Sequence, residues 1–536
     1  MDILLVFPPL GNHEHAHIGL PLLKGYLNKN GHSSCTIKDY NVEIMDKLIR
    51  DFMSGDTKVL FSKNSKNVSK NYTLAQEILR GRNQSDKLKT SWATDMIYRY
   101  MAVAGECIST VSFDPVTFKD VEKEFNCVEK ETGDNPVYKY IREVIVPDIL
   151  AKKPSVIGFS LIYASQVLYT LSICRQVRKV DPNIKIFFGG PIASIFWRAF
   201  MNSLTFAPYF DGIIREQGEV PVLSLCDYWL KKKGSIEQVP NLVYRDEEGT
   251  VKENPIGENC PMDDIPMPDF TDMPLELYSY PKLPFQMTRG CYWGRCSFCG
   301  HRGCNSKYMV ANKSKVVSEL KTLMEMHDIR MFHFADDAIL PKYFVDVARM
   351  IIDEKLDIVY SVFLRTEKGF TKENCKILFE SGLRSVLFGI ESANSRILKR
   401  MEKGMNVETM KKVLRNFMEA GISNHLSCII GFPTEEKHEA YETIQFLLDN
   451  KDIYHKAYLT PFGLFSDMVD QPEKFSIEEV DIYNPLRHDM EGYVAFEYAY
   501  NRNQGMSVEE YLEVLREGRK LINSVPPGAN YFSKSL

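Results

Sequence analysis

The chain has 536 residues, 44% of them hydrophobic and 26% charged, and its 66 basic and 71 acidic residues give a net charge of −5. That length allows two to four domains, and the composition is that of a globular protein. The acidic balance argues against a nucleic-acid partner, and no run approaches the ~20 apolar residues of a membrane span. The 12 cysteines are mostly scattered, which favours a reducing cytoplasm over a disulfide framework.

The start of the chain alternates strand and helix. Residues 3–7 are all apolar, as in a parallel strand covered on both faces. We interpret them as a buried strand rather than a signal peptide, because no basic region precedes them and Pro8-Pro9 follows. A helix and a strand at residues 35–39 complete a βαβ opening. Three histidines lie in the loop after the first strand, and we expect them to be exposed: His13, His15 and His17.

Residues 42–153 interrupt the alternation, and we predict a helical insertion there. Its lysine-rich part is interpreted as solvated surface rather than as a docking site for an acidic partner. The alternation resumes with strands predicted at residues 156–161, 184–191 and 212–214. Ligands of open α/β sheets bind beyond the carboxyl ends of the strands. Residues at these ends are therefore expected to line one crevice: Tyr163, Gly189, Gly190, Pro191, Gly218 and Glu219.

Short motifs mark this part of the chain: Phe7-Pro8-Pro9, Gly19-Leu20, Gly158-Phe159-Ser160, Gly189-Gly190-Pro191 and Gly218-Glu219. Together and in this order, they make residues 1–245 resemble a Rossmann-like cobalamin (B12)-binding domain. The motif D-x-H-x-x-G, whose histidine coordinates cobalt in classical cobalamin proteins, is absent from the sequence. Cobalamin domains that precede a radical S-adenosylmethionine domain commonly lack it, so the resemblance implies a lower cobalt face without a histidine ligand. The resemblance implies that cobalamin is contacted by Gly19, Leu20, Ser160, Tyr163, Gly189, Gly190, Pro191, Gly218 and Glu219.

Residues 246–281 contain six prolines from Pro255 onward, with acidic residues between them. This composition favours an extended connection between two domains. We therefore predict that a second domain begins at about residue 282.

Three cysteines lie within nine residues of the second half, in the spacing C-x4-C-x2-C: Cys291, Cys296 and Cys299. A closed structural zinc site uses four nitrogen or sulfur ligands, and His301 or Cys304 could supply the fourth. An iron–sulfur cubane held by three cysteines instead leaves one iron open to a substrate or cofactor. The loop by itself leaves both kinds of site open.

The cysteine loop follows the first of six predicted strand and helix units. Six such units form an open barrel, a partial (β/α)6 TIM-like fold, with function at the carboxyl ends of its strands. A zinc knuckle needs no such barrel, which favours the cubane. Asp336 and Asp337 end the second strand, and we interpret them as N-cap residues of the next helix, with contact to the substrate or to a cofactor as the alternative. The strands are predicted at residues 284–288, 331–337, 358–365, 385–392, 426–433 and 457–461.

The cysteine loop and two later motifs, Gly389-Ile390-Glu391-Ser392 and Gly431-Phe432-Pro433-Thr434-Glu435, resemble the radical S-adenosylmethionine (SAM) enzymes over residues 282–465. The usual spacing in that superfamily is C-x3-C-x2-C, so one residue is added here to the first gap. Residues 466–536 are expected to cap the open side of the barrel. The resemblance implies that the three cysteines hold a [4Fe-4S] cluster and that SAM is contacted by Phe298, Arg365, Glu391, Ser392 and Gly431.

The two resemblances together imply an enzyme that forms a 5′-deoxyadenosyl radical at the cluster. With cobalamin, it would transfer a methyl group to an unactivated carbon or a phosphorus of a small-molecule or peptide substrate. An electron donor such as flavodoxin or ferredoxin is implied as a partner. Three alternatives stay open: radical rearrangement, cyclisation or epimerisation without methyl transfer; a first domain that binds no cobalamin; and a binding protein whose cluster is structural or redox-active. No catalytic residue and no substrate are identified.

Overall fold

The computed structural model describes residues 2–54, 65–80, 117–128, 135–299, 307–464 and 504–523, together with a few shorter pieces. The chain divides into two compact units. The first is built mainly from residues 1–76 and 96–281, and the second mainly from residues 282–491 and 497–536. Each unit contains a sheet made largely of parallel strands, so the predicted α/β fold class is confirmed.

The sheet of the first unit has the spatial order β2-β1-β3-β4-β5-β6-β7. Strands β1 to β5 are parallel, whereas β6 and β7 are antiparallel to their neighbours. The chain order reverses between β1 and β3, and α/β proteins bind ligands at such a switch point, beyond the carboxyl ends of the strands. The strands are β1 (Ile3–Phe7), β2 (Cys35–Asp39), β3 (Val156–Ser160), β4 (Lys185–Gly189), β5 (Gly212–Ile214), β6 (Leu242–Arg245) and β7 (Val251–Glu253).

Helices cover this sheet, and every residue of β1 is buried, as expected for a strand enclosed on both faces. The helices between β2 and β3 occupy the predicted insertion, of which residues 55–64 and most of residues 81–116 lie outside the described part. The α-helices of this unit are Gly19–Lys29, Tyr40–Ser54, Ser65–Arg80, Phe118–Val128, Pro136–Tyr140, Val146–Lys152, Gln166–Val180, Pro191–Ile195, Trp197–Asn202 and Glu219–Lys231, with a π-helix at Ile141–Ile145.

The proline-rich segment 246–281 differs from the extended connection that we predicted. Residues Val251–Glu253 form β7, and the later part of the segment packs against the rest of the first unit. Lys24 pairs with Asp269 (3.2 Å) and Asp272 (2.6 Å), and the fully buried Tyr278 donates a hydrogen bond to Asp39. These anchors are long-range contacts, which the proline content of the segment does not reveal.

The second unit contains a six-stranded parallel sheet of order β15-β14-β13-β12-β11-β8. Each strand neighbours the next one along the chain, as in the predicted open barrel. Strands β9 and β10 form a separate antiparallel ribbon. The strands are β8 (Lys282–Phe285), β9 (Thr288–Arg289), β10 (Met309–Val310), β11 (Met331–Phe334), β12 (Val359–Leu364), β13 (Leu383–Glu391), β14 (Ser423–Ile430) and β15 (Lys456–Pro461), with a short later pair, β16 (Val480–Ile482) and β17 (Tyr500–Arg502).

Helices pack on one face of the six-stranded sheet, where Phe334 and Tyr360 stack with ring centroids 4.4 Å apart and Phe344 lies against both. Because side chains alternate between faces, the residues between them point to the other side, the inner face. Its members include half-buried and exposed residues: His333, Ser361, Phe363, Leu387 and Tyr458. The α-helices are Lys313–His327, Pro341–Asp353, Lys372–Glu380, Ser395–Arg400, Val407–Glu419, Lys437–Asp449 and Val508–Asn523.

The C-terminal helix Val508–Asn523 packs along the edge strand β15 and the helix Lys437–Asp449. Arg519 donates a hydrogen bond from Nη2 to the carbonyl of Leu459 in β15 (2.7 Å). Most of residues 465–503 and all of residues 524–536 lie outside the described part, so a cap over the barrel stays a prediction. Among the described residues, no helix is both long and apolar enough to cross a bilayer.

Candidate active site

The cysteine loop is tied to the sheet by Asp336, which follows β11. Its Oδ1 accepts hydrogen bonds from the backbone of Met287 (3.1 Å) and from the Thr288 backbone (2.5 Å) and hydroxyl (2.7 Å). The carboxyl is 1% exposed, and burial raises its pKa to about 7 against these hydrogen bonds. The helix-cap interpretation is wrong: the next helix starts at Pro341 with Leu340 at its N-cap, and Asp336 anchors the loop instead.

We expect Asp336→Ala to lower the iron retained by reconstituted protein, because three donors lose their acceptor and each unsatisfied buried donor costs ~1–3 kcal/mol. Asp336→Asn keeps one acceptor oxygen and is the matched control, so it should retain most of the iron. Iron per chain after desalting measures both. Equal iron in the wild type and the alanine variant would show that Asp336 does not hold the loop.

The pKa of Asp336 also predicts a pH dependence. A folded-state pKa of about 7 lies above the unfolded value of ~3.9, so the contribution of this group to stability is complete below ~3.9 and is lost as the pH rises through about 7. The wild type should therefore lose thermal stability relative to Asp336→Asn between those two pH values. If the thermal midpoints of the two proteins change in parallel with pH across that range, the raised pKa of Asp336 would be contradicted.

The cysteine loop is docked on the segment that follows the helix Ser395–Arg400. The indole of Trp293 donates to the carbonyl of Glu402 (2.8 Å), and Ser297 donates to the carbonyls of Met401 and Arg400, at 3.0 Å each. Gly404 has a φ of +68°, and a Cβ there would lie 2.1 Å from the Trp293 ring. Only glycine therefore lets the loop approach this closely.

The three cysteines sit in this docked loop, with Cys296 buried and Cys291 and Cys299 half-buried. In the described part of the chain, no group of three or more Cys, His, Asp or Glu side chains has the arrangement that a single metal ion needs. A cubane differs in this respect, because each thiolate binds its own iron. His301 and Cys304, the candidate fourth zinc ligands, lie outside the described residues.

Arg365, just after β12, connects the cysteine loop to its surroundings. Its Nη1 lies 3.9 Å from the sulfur of Cys296, and its Nη2 donates to the carbonyl of Lys403 (2.6 Å). Its Nε donates to Glu367 (3.0 Å), and the guanidinium lies 4.8 Å from the centre of the Trp293 ring. Burial raises the pKa of the Cys296 thiol, whereas Lys403 and Arg365 lower it. These two cations thus favour the thiolate, the form that binds metals.

Glu391, at the end of β13, forms a buried ion pair that the sequence did not predict. Its Oε1 lies 2.8 Å from Nζ of Lys403, and both side chains are less than 10% exposed. Glu391 has a φ of +61°, where the register with β14 shifts. A Cβ on Gly389 would lie 2.4 Å from that oxygen. A buried acid needs a partner, but a partner twelve positions downstream, after another helix, is not marked by any sequence motif.

The other predicted SAM residues make different contacts. Lys403 lies 5.4 Å from the centre of the Phe298 ring. Ser392 shares a hydrogen bond with the hydroxyl of Thr443 (3.1 Å), and the backbone of Gly431, at φ +81°, donates to the buried carboxylate of Glu435. Phe298 also packs on a buried apolar cluster made of Ile397, Met401, Phe432, Phe462, Leu464 and Met468. Lys403 therefore lies next to both Phe298 and Glu391.

In the first unit, hydrogen bonds join the loops at the carboxyl ends of the strands. Leu161 donates to the carbonyl of Gly189 (2.8 Å), and Ile192 donates back to the carbonyl of Leu161 (3.1 Å). Gly190 has a φ of +92°, and a Cβ there would lie 2.6 Å from that carbonyl. The loops after β3 and β4 thus lie side by side, as the single predicted crevice requires. Pro191 and Glu219 each begin a helix.

We had expected the histidines after β1 to be exposed, and this prediction is wrong. His13 is 7% exposed, and His15 and His17 are half-buried. Burial lowers the pKa of His13 and of His17 to about 4. A polar sequence such as Gly11-Asn12-His13-Glu14-His15 suggests solvent, but the loop folds back: the carbonyls of His13 and Glu14 accept hydrogen bonds from Ser279 and Tyr280.

Comparison with known families finds a match within each unit. The family model described as "Radical SAM superfamily" matches residues 285–447, and the model described as "B12 binding domain" matches residues 134–225. The second half of the chain is thus similar to radical SAM enzymes, and part of the first half is similar to B12-binding domains. Two of the three cofactors predicted from the sequence, SAM and cobalamin, are those for which the two families are named.

Curated relatives of this chain include an uncharacterized methyltransferase of Pyrococcus horikoshii, 28% identical over 55% of this chain and 64% of the relative. An anaerobic magnesium-protoporphyrin IX monomethyl ester cyclase of Rubrivivax gelatinosus is 26% identical over 63% of this chain and 62% of its own. A cytidylyl-2-hydroxyethylphosphonate methyltransferase of Streptomyces wedmorensis is 25% identical over 52% and 58%. The chain thus spans between 58% and 64% of the length of these relatives.

Solved structures of radical SAM enzymes share the fold. The cobalamin-dependent enzyme OxsB superposes with a TM-score of 0.63 at 16% identity, covering 98% of this chain and 66% of its own. The methyltransferase TsrM of Kitasatospora setae superposes with a TM-score of 0.62 at 13% identity, covering 97% and 88%. At this level of identity, the likeness concerns the fold.

Proposed function

We propose that the chain is a cobalamin-dependent radical SAM methyltransferase, acting on an unactivated carbon or a phosphorus. The observation that carries the proposal is the joint presence of a B12-binding domain and of a three-cysteine loop held beside Arg365 and Lys403 in a radical SAM domain. Curated relatives named as methyltransferases support this assignment.

The donor set of the loop suits a [4Fe-4S] cluster with one open iron. Cys291, Cys296 and Cys299 would hold it, and the cations of Arg365 and Lys403 stabilise the Cys296 thiolate. Trp293 and Ser297 keep the loop against residues 400–404. The cluster would supply the electron that starts radical chemistry on SAM. The role of the chain is to fix the thiolates and exclude water.

The SAM site that we propose is centred on Glu391. Its carboxylate, oriented by Lys403 at 2.8 Å, suits an ammonium or hydroxyl group of SAM, and Arg365 suits its carboxylate. The backbone at Ser392 and Gly431 completes the polar side. The Phe298 ring, on its apolar cluster, suits the flat adenine.

The cobalamin site that we propose is the crevice of the first unit. Gly190 lets the loops after β3 and β4 lie in direct contact, and Gly189, where a Cβ would have no neighbour closer than 3.9 Å, leaves room for a corrin ring to approach the backbone. Gly19, where a Cβ would meet nothing within 4 Å, adds open space. Leu20, Ser160, Tyr163, Gly189, Pro191, Gly218 and Glu219 are the remaining proposed contacts.

The substrate is proposed to lie on the inner face of the second sheet. Phe363 and Tyr458 are 41% and 40% exposed there, which is unusual for large apolar residues inside a barrel, and His333 bonds to Ser361 at 3.0 Å. The relatives are named for a tetrapyrrole and for a phosphonate, so their likeness does not select one substrate class. A reductant such as flavodoxin or ferredoxin is the proposed partner.

A second candidate is radical cyclisation or rearrangement without methyl transfer. The cyclase of Rubrivivax gelatinosus favours it, since that relative covers 63% of this chain. In this second candidate, the first domain would bind no cobalamin in its crevice.

Anaerobic reconstitution with iron, sulfide and cobalamin tests the cofactor assignment. The proposal predicts one [4Fe-4S] cluster and one corrinoid per chain, read from the visible spectrum and from iron and cobalt contents after desalting. Cobalt at background level, with the cluster present, would contradict the cobalamin part and favour the second candidate.

A further inference from the structure

The second unit has a groove of about 670 Å³ on its surface, next to the cysteine loop. One wall is the side chain of Tyr292, the residue after Cys291, and the other walls include the loops that follow β11 and β12 and the start of the helix Val407–Glu419. Lys342 and Gly404, which line the groove, are exposed. The groove therefore opens to solvent beside a proposed ligand of the cluster.

Two routes of bonded atoms connect this groove with the cysteines. The first is the peptide bond between Cys291 and Tyr292. The second starts at the Tyr292 hydroxyl, which donates a hydrogen bond to Glu367 in the groove wall (3.0 Å). Glu367 accepts another from Nε of Arg365 (3.0 Å), whose Nη1 lies 3.9 Å from the sulfur of Cys296. The groove is thus linked through short contacts to two of the three cysteines.

An electron has to reach the proposed cluster from a side that SAM does not occupy. The proposed SAM site lies around Glu391, Lys403 and the Phe298 ring, and the open iron is reserved for SAM. The groove borders the cysteine loop at a different residue, Tyr292. It therefore offers an entry for the electron that leaves the proposed SAM site free.

The charges of the groove favour an acidic partner. Among its described lining residues there are two acids: Asp346 pairs with Lys313 (2.7 Å), and the other is the carboxylate paired with Arg365. Lys342 and Lys368 are exposed, and in the part of the chain that the structure describes neither belongs to an ion pair. Their positive charges are thus left over, on a chain whose net charge is −5. Such a local patch attracts and orients an acidic protein.

The groove also has apolar lining. Leu340 is 40% exposed there, and Tyr343 and Met405 are half-buried. Protein interfaces combine an apolar centre with a polar or charged rim. A small inorganic anion would use the lysines and leave these apolar side chains in water. The lining therefore fits the surface of a protein better than a small anion.

We propose that this groove is the docking surface for an acidic protein that carries single electrons, of the flavodoxin or ferredoxin kind. The inference rests on the proposed function, which needs a reductant, and deepens it by assigning the surface where that reductant binds. The carrier gives up one electron, the cluster accepts it, and no bond forms or breaks. Lys342 and Lys368 orient the carrier and take no part in the chemistry.

Binding of a flavodoxin and of a [2Fe-2S] ferredoxin to the full chain at low ionic strength, without cluster reconstitution, tests the surface directly. The double substitution Lys342→Glu/Lys368→Glu should weaken the binding of at least one carrier by ~10-fold or more, the lower end of what electrostatic steering supplies. Added salt should weaken binding by the wild type more than binding by this groove variant.

A control variant with the same change of net charge is Lys451→Glu/Lys520→Glu. Both lysines are exposed. Lys451 lies in the turn just before the edge strand β15, and Lys520 lies in the C-terminal helix that packs along that strand. The control variant should bind the carriers like the wild type.

Electron transfer gives a second readout. In the reconstituted chain, 5′-deoxyadenosine formation driven by the reduced carrier should need a ~10-fold higher carrier concentration for half its maximal rate in the groove variant. Formation driven by dithionite, a small reductant that needs no docking surface, should equal that of the wild type. An equal loss with both reductants would show that the lysines support the fold or the chemistry, and would overturn the docking role.

Carrier binding that is unchanged in the groove variant, or equally weakened in the control variant, would also overturn the proposal. Binding of neither carrier by the wild type would do the same. Absence of dithionite-driven 5′-deoxyadenosine in the wild type would instead overturn the proposed function, while the binding measurement still decides the docking surface.

Discussion

Replacing any one of Cys291, Cys296 or Cys299 by alanine is expected to remove the cluster and to reduce 5′-deoxyadenosine formation from SAM by at least ~100-fold, the upper range for losing even an outer-shell partner of a metal. The loss of a direct cysteine ligand should reduce product formation at least as much. Iron per chain and product formation after anaerobic reconstitution measure the effect. Cys127→Ala, at a half-buried thiol of the first unit, is the matched control and should keep both.

Deoxyadenosine formation that survives the loss of iron would contradict the role of the loop. Iron that survives any one of the three substitutions would show that this cysteine is not a ligand. Iron retained by all three variants would point instead to ligands elsewhere in the chain.

The Glu391–Lys403 pair predicts the second large effect. Removing one partner leaves a buried, uncompensated charge, which costs ~3–5 kcal/mol, so Glu391→Gln and Lys403→Met should each lower the thermal midpoint strongly. Replacing both removes both charges, and the double variant should recover most of the loss. SAM binding should weaken in every protein that lacks the Glu391 carboxylate, including the double variant.

This cycle separates stability from ligand binding. Recovery of stability without recovery of SAM binding is the expected result, measured by thermal unfolding and by equilibrium dialysis of SAM. A double variant that binds SAM as well as the wild type would show that Glu391 only packs against Lys403. A Lys403→Met variant of unchanged stability would show that the buried pair is not required.

The sequence predicted the elements that local pattern determines. The strand expected at residues 385–392 is Leu383–Glu391, and the one expected at residues 35–39 is Cys35–Asp39. Short apolar runs bounded by turn residues are recognisable because parallel strands are buried on both faces. The cysteine loop could be predicted equally well, because its three cysteines are close together in the sequence.

What the sequence did not show depends on contacts between distant residues. Lys403 reaches Glu391 only because the helix Ser395–Arg400 returns the chain to the end of β13. Asp336 was interpreted as a helix cap from its type and position, yet its partners are Met287 and Thr288, at the start of β9. His13 and His17 were expected in solvent from the polarity of their neighbours. In each case the deciding partner lies elsewhere in the chain.

The central claim, radical chemistry coupled to methyl transfer, is tested most directly by the fate of SAM carrying a trideuterated methyl group. The reconstituted chain, a reductant and a small-molecule extract should yield both 5′-deoxyadenosine and S-adenosylhomocysteine. A product bearing the deuterated methyl group should appear, and it should depend on added cobalamin and on Cys296. Deoxyadenosine without S-adenosylhomocysteine or a labelled product would contradict methyl transfer.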